Sequence, residues 1–184
     1  MEGANTDGLR SSIMLVPRLI ELIETHADAL TQEALKDFAT NPRTPSFGLV
    51  PRNELEARVF AMYHNLGKWI TNQSEDAVRA EYESWGAKRF RQGIPLSEIV
   101  YALILVKHHL RRFVRDHGLV EFSGDRVVGG DMIGVQLYAI QDLNYMVGDF
   151  FDRAMYYLAR GYELEAKRAP STTEVKPGRP RVTG

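Results

Sequence analysis

The 184-residue sequence has no cysteine, which excludes disulfides, thiolate zinc sites, iron–sulfur clusters and a cysteine nucleophile. A surplus of either charge is also missing. The 23 Lys and Arg stand against 24 Asp and Glu, a formal charge of -1, whereas a dedicated nucleic-acid binder carries a clear basic excess. No stretch approaches the ~18 uncharged apolar residues of a membrane span, and Met1–Arg10 holds no apolar segment of the kind a secretory leader needs. The expectation is a soluble, cytoplasmic protein that engages neither nucleic acid nor membrane. Catalytic signatures are absent as well: there is no His-Glu-x-x-His zinc helix, no Glu-x-x-His pair for a di-iron bundle and no Gly-x-Ser-x-Gly elbow. Gly129-Gly130 lacks the lysine and the preceding strand of a phosphate loop and reads as a turn. The expectation is therefore no metal, no catalytic residues and no enzyme. What is present is ordinary globular usage, 44% hydrophobic and 26% charged, in a chain long enough for one domain.

The apolar residues follow helical spacing throughout. Ser12–Phe38 carries Leu19, Ile20, Ile23, Ala27, Leu30, Ala34, Leu35 and Phe38 on one stripe, with Pro17 in the first turn. The Pro- and Gly-rich run Asn41–Gly48 is a connecting loop. A second helix starts at Pro51, with Asn53 and Glu56 spaced as a capping box, and ends near Thr71. Ser74 caps a third, whose last turn holds Lys88, Arg89 and Arg91 and which Gly93 stops. Pro95 opens a fourth, in which Ile99–Val106 is wholly apolar and Gly118 marks the end. After a turn over Glu121–Gly130, one proline-free helix runs from about Asp131 to Lys167, and the two form an antiparallel hairpin. The spacing predicts an all-α, single helical-bundle or globin-like domain of about five helices over residues 12–167. A flexible N-terminus (1–11) precedes it. A flexible tail (168–184) follows, with three prolines and a basic bias.

Few residues carry chemistry. His108 and His109 are adjacent on the apolar fourth helix, about 100° apart, so at most one points inward. An inward histidine is a haem-ligand candidate, and a hydrogen-bonded core histidine beside an exposed one is the plainer reading. Tyr63, Trp69, Tyr82 and Trp85 are candidates for the walls of a small-ligand pocket, against core packing as the alternative. The strip Lys107, Arg111, Arg112 and Arg115 suits an anion, although the helix dipole already accounts for basic residues near a C-terminus.

From Glu81 the chain reads Glu-Tyr-Glu-Ser-Trp-Gly-Ala-Lys-Arg-Phe-Arg-Gln-Gly-Ile-Pro-Leu-Ser-Glu-Ile-Val-Tyr-Ala-Leu-Ile-Leu-Val-Lys. A glycine and a basic pair end one helix, and Gly-x-Pro-Leu-x-Glu opens a strongly apolar one. This wording resembles the N-terminal helical domain of RsbR/RsbRD-type regulators, the RsbT co-antagonist family, a form of which also precedes some bacterial histidine kinases. The likeness extends loosely over Leu15–Glu163 and is specific around Gly86–Val106. The resemblance implies a globin-like or bundle-like sensory input domain for signal transduction and stress response, commonly without haem, acting through dimers on a downstream output. It supplies no catalytic residues. In a globin-like mapping the third helix takes the place of the one that bears the proximal histidine, and residues 74–92 contain none, which disfavours haem. A tetrapyrrole- or small-ligand-binding sensor is the alternative reading.

The last helix supplies the dimer expectation. Ile133, Leu137, Ile140, Val147, Phe151 and Leu158 follow the three-four spacing of a packing seam, and further apolar residues flank them, more than a single neighbour requires. They are the expected homodimer interface.

Overall fold

The computed structural model describes residues 15–72, 74–121 and 132–169. Among them the chain is all-α, with no strand. Helix α1 (residues 15–25) and α2 (Ala27–Thr40) are the two parts of the long stripe expected over Ser12–Phe38, separated by His26 alone. The ladder crosses the break, since Leu30 N–H donates to the His26 carbonyl at 3.1 Å. A 3₁₀ turn, Pro45–Leu49, leads to α3 (Arg52–His64), and a π-type turn at Lys68–Asn72 precedes α4 (Glu75–Arg91). Helices α5 (Leu96–Glu121) and α6 (Met132–Arg168) complete the chain. None of the described helices is long and apolar enough to cross a membrane. The expected flexible termini and the turn between α5 and α6 lie almost wholly outside the described residues.

Local chemistry explains most boundaries. Ser74 caps α4, its hydroxyl accepting from Ala77 N–H at 3.2 Å. At the other end Gly93 takes φ +72, Gly93 N–H donates to Phe90 and Ile94 N–H to Arg89, a Schellman stop that also buries Ile94. Three expectations are corrected. The second helix ends at His64, not near Thr71. The capping box at Asn53 and Glu56 does not form: Pro51 is the cap residue, and Glu56 accepts from Gln32 of α2 instead. Gly118 does not end α5, which continues to Glu121. A Cβ there would stand 3.3 Å from both Leu19 and Ile140, so the glycine makes room for side chains inside the helix.

Helix α6 organises the core. It runs parallel to α4, with Glu75 near Arg153 and Tyr157, Glu83 near Arg160, and Arg91 near Glu165. It runs antiparallel to α5, with Lys107 on Asp152 and Arg111 on Asn144, as the hairpin expectation has it. Ala139, Leu143, Val147, Phe150, Phe151, Ala154 and Leu158 form its buried face. The expected seam is therefore corrected for three of its members. Val147, Phe151 and Leu158 are 0–1% exposed inside a single chain, because α4 and α5 between them already cover that stripe, and they offer nothing to a partner.

Candidate functional site

The aromatic residues singled out in the sequence come together only in part. Trp69, Tyr82 and Phe150 stack around one another at 5.6–6.0 Å, and Trp85 meets Tyr82 edge-on at 6.0 Å. Tyr63 stands apart, its hydroxyl donating to the Val106 carbonyl of α5 at 3.0 Å. The space beside Arg58 and Trp85 is about 10 Å³, room for a single water at most.

Two arginines absent from the sequence-level candidates complete this cluster. Arg58 lies over both Tyr82 (4.9 Å) and Trp85 (4.8 Å) and pairs with Glu81. Arg89 is fully buried, donates to Glu54 at 2.6 Å and Gln92 at 2.5 Å, and faces Trp85 at 5.5 Å. Burial pushes the Arg89 guanidinium below its ordinary value. Burial also raises Glu54, but hydrogen bonding from Lys88 and pairing with Arg89 outweigh it and hold the carboxyl below the usual range. Sequence reasoning assigned Arg89 to the helix dipole. The available signal was its register: Val78, Tyr82, Trp85 and Arg89 fall on one face of α4, so the charge sits in an apolar stripe.

The two histidines divide as the plainer reading has it. His108 is exposed. His109 is buried and engages both ring nitrogens: Nε2 meets the Asp37 carboxylate at 3.1 Å, and Nδ1 accepts from Arg112 at 2.7 Å. Arg112 also reaches Glu33 at 3.3 Å, so the group ties α5 to α2. No group of three or more acidic or imidazole side chains suited to a metal ion occurs among the described residues.

The remaining feature is the uncovered side of α6. Among the described residues seven large hydrophobic side chains are exposed, and five of them lie on this helix: Ile133, Leu137, Tyr138, Tyr145 and Tyr156. Beside Leu137 and the half-buried Ile140, a groove of about 580 Å³ opens between α6 and the basic face of α5. No family model matches the chain, and searches of curated proteins and of solved structures return no match either.

Proposed function

We propose that this chain is a non-enzymatic sensory or regulatory input domain of bacterial signal transduction, working in the cytoplasm as a helical homodimer that passes its signal to a downstream protein or output domain. The observation that carries the reading is the concentration of exposed apolar surface on α6. At ~1.5 Å per residue its 37 residues extend about 55 Å, with one face in the core and another that leaves Ile133, Leu137, Tyr138, Tyr145 and Tyr156 in solvent. Clustered apolar side chains of this kind mark interaction surfaces, and the simplest closed assembly of one chain is a twofold dimer that pairs the same patch with itself.

The dimer face is accordingly the outer, N-terminal part of α6, which retains Ile133, Leu137 and Ile140 of the expected seam. The likeness of Gly86–Val106 to RsbR/RsbRD-type domains supports the same reading. The charged clusters act as struts between helices, Glu54 and Arg89 between α3 and α4, Asp37 and His109 between α2 and α5, which suits a scaffold better than turnover. A tetrapyrrole would have to break both hydrogen bonds of His109 or settle on the exposed His108.

Light scattering at micromolar concentration tests the proposal. The wild type is expected near twice 20.9 kDa. Leu137→Asp and Tyr145→Glu are expected to bring it to the single-chain mass with an unchanged helical circular-dichroism spectrum. A wild type that is itself of single-chain mass overturns the dimer.

A further inference from the structure

The groove between α5 and α6 has an ordered polarity. Four cations line this side of α5, and three are neutralised within the chain: Lys107 by Asp152 at 3.2 Å, Arg112 by Glu33 at 3.3 Å and Arg115 by Asp116 at 2.8 Å. Arg111 is different. It donates to the Asn144 backbone carbonyl at 3.3 Å, and no carboxylate among the described residues pairs with it. Its Nη2 lies against Gly148 of α6, where a Cβ would stand 3.2 Å away. Next to it the Asn144 side-chain oxygen is buried with no hydrogen-bond partner. Two turns further along α5 the walls become apolar: Leu119 on one side, Leu137 and Ile140 on the other.

We infer that this groove binds a single-chain organic anion of the medium-length alkyl carboxylate class. The carboxylate sits on Arg111, and the chain lies along Leu119, Leu137 and Ile140. From Arg111 to Leu119 is eight residues of helix, about 12 Å at ~1.5 Å per residue, the reach of a medium-length alkyl chain. The volume of about 580 Å³ lies in the range of small-molecule sites. The inference goes beyond the dimer reading but shares Leu137 and Ile140 with the proposed dimer face, so a bound alkyl chain and a partner compete for those two side chains.

The test titrates decanoate, below its micelle concentration, into the full chain by calorimetry and by amide chemical shifts. Saturable one-to-one binding is expected, with shifts centred on Arg111, Leu119, Leu137 and Ile140. Acetate, which lacks the chain, should not bind at the same concentration, and decanol should bind at least tenfold more weakly. Arg111→Gln should weaken decanoate about tenfold or more and leave decanol unchanged, a split that a merely structural role of Arg111 would not produce. Equal decanoate affinity in the wild type and Arg111→Gln, shifts centred elsewhere, or sedimentation with phosphatidylglycerol vesicles without decanoate binding would each overturn the proposal. Titrating Tyr145→Glu in parallel separates the two readings: decanoate binding by this variant supports the groove whatever the wild-type mass, absence of binding by both proteins overturns it, and a wild type of single-chain mass sinks the dimer alone.

Discussion

Along its C-terminal half α6 meets α4 at backbone distance, whereas along its N-terminal half it meets α5 through side chains. The glycines on each contact mark the difference. A Cβ on Gly86 would stand 2.0 Å from the Leu158 carbonyl oxygen, and one on Gly161 would stand 2.1 Å from that of Glu83. Neither backbone can yield. On the α5 side a Cβ on Gly118 or Gly148 would meet only the ends of side chains, at 3.2–3.3 Å. The close crossing leaves Phe150, Phe151, Ala154 and Leu158 fully packed, and the looser one leaves a groove and exposed Leu137 and Ile133. Glycine placement thus decides where this helix is core and where it is free to meet something else.

The sharpest way to break the comparison is to put the same charge on each half. Leu158, at the close crossing, is fully buried, so Leu158→Asp should cost more than about 4 kcal/mol and prevent folding at 25 °C. Leu137→Asp, at a half-exposed site, should shift the urea midpoint of the single chain only slightly. Circular dichroism and urea denaturation of both variants decide it. A folded Leu158→Asp protein would mean that this stretch of α6 is not core.

A finer test adds one methyl group to each contact. Gly161→Ala must push α4 and α6 apart and should cost about 3 kcal/mol, at the upper end of overpacking. In Gly148→Ala the Arg111 side chain can move aside by a few tenths of an ångström, and the helix gains propensity. The net change should stay within about 1 kcal/mol. Equal losses in urea denaturation would erase the distinction between a backbone contact and a side-chain contact.

Sequence spacing marked the helices well because their ends carry their own chemistry: Ser74 as a cap, Gly93 with its positive φ, and the apolar run Ile99–Val106 inside α5. It did not say which neighbour each stripe would meet. The seam Ile133, Leu137, Ile140, Val147, Phe151 and Leu158 is one continuous pattern in the sequence. In the fold α4 covers the far part of it, and that depends on Gly86 and Gly161, which are 75 residues apart in the chain and carry no local signal of their meeting. Arg89 was illegible for a related reason. A basic residue in the last turn of a helix is explained locally by the dipole, and only the arrival of Glu54 from α3 makes it a buried ion pair. His108 and His109 were legible as one inside and one outside, since adjacent helical positions must diverge. That the inner one would be His109 depended on Asp37 of α2.

The smallest effect concerns two buried tyrosines, Tyr82 in the close half and Tyr63 between α3 and α5. Tyr82, packed on Phe150 in the close half, has its hydroxyl buried with no hydrogen-bond partner, and burial pushes its pKa from the ordinary 10.0 up to about 12. Tyr63 is equally buried and raised for the same reason, but its hydroxyl donates to Val106. Removing an orphaned hydroxyl relieves a desolvation cost, so Tyr82→Phe should leave stability at pH 7 unchanged or raise it by about 1 kcal/mol. Tyr63→Phe gives up a formed bond and should lose about 1 kcal/mol. The pH dependence carries the same sign for both residues. A folded-state pKa above the unfolded value contributes stability that is fully present below pH 10 and is lost as the pH rises toward and past the folded value, because unfolding then releases a proton the native state retains. The alkaline limb of the unfolding curve, measured by urea denaturation between pH 10 and 12, should therefore flatten in Tyr82→Phe. A loss of 1 kcal/mol or more in Tyr82→Phe at pH 7, equal to that in Tyr63→Phe, would show that the Tyr82 hydroxyl has a partner after all and that the aromatic cluster around it is looser than the crossing at Gly86 and Gly161 requires.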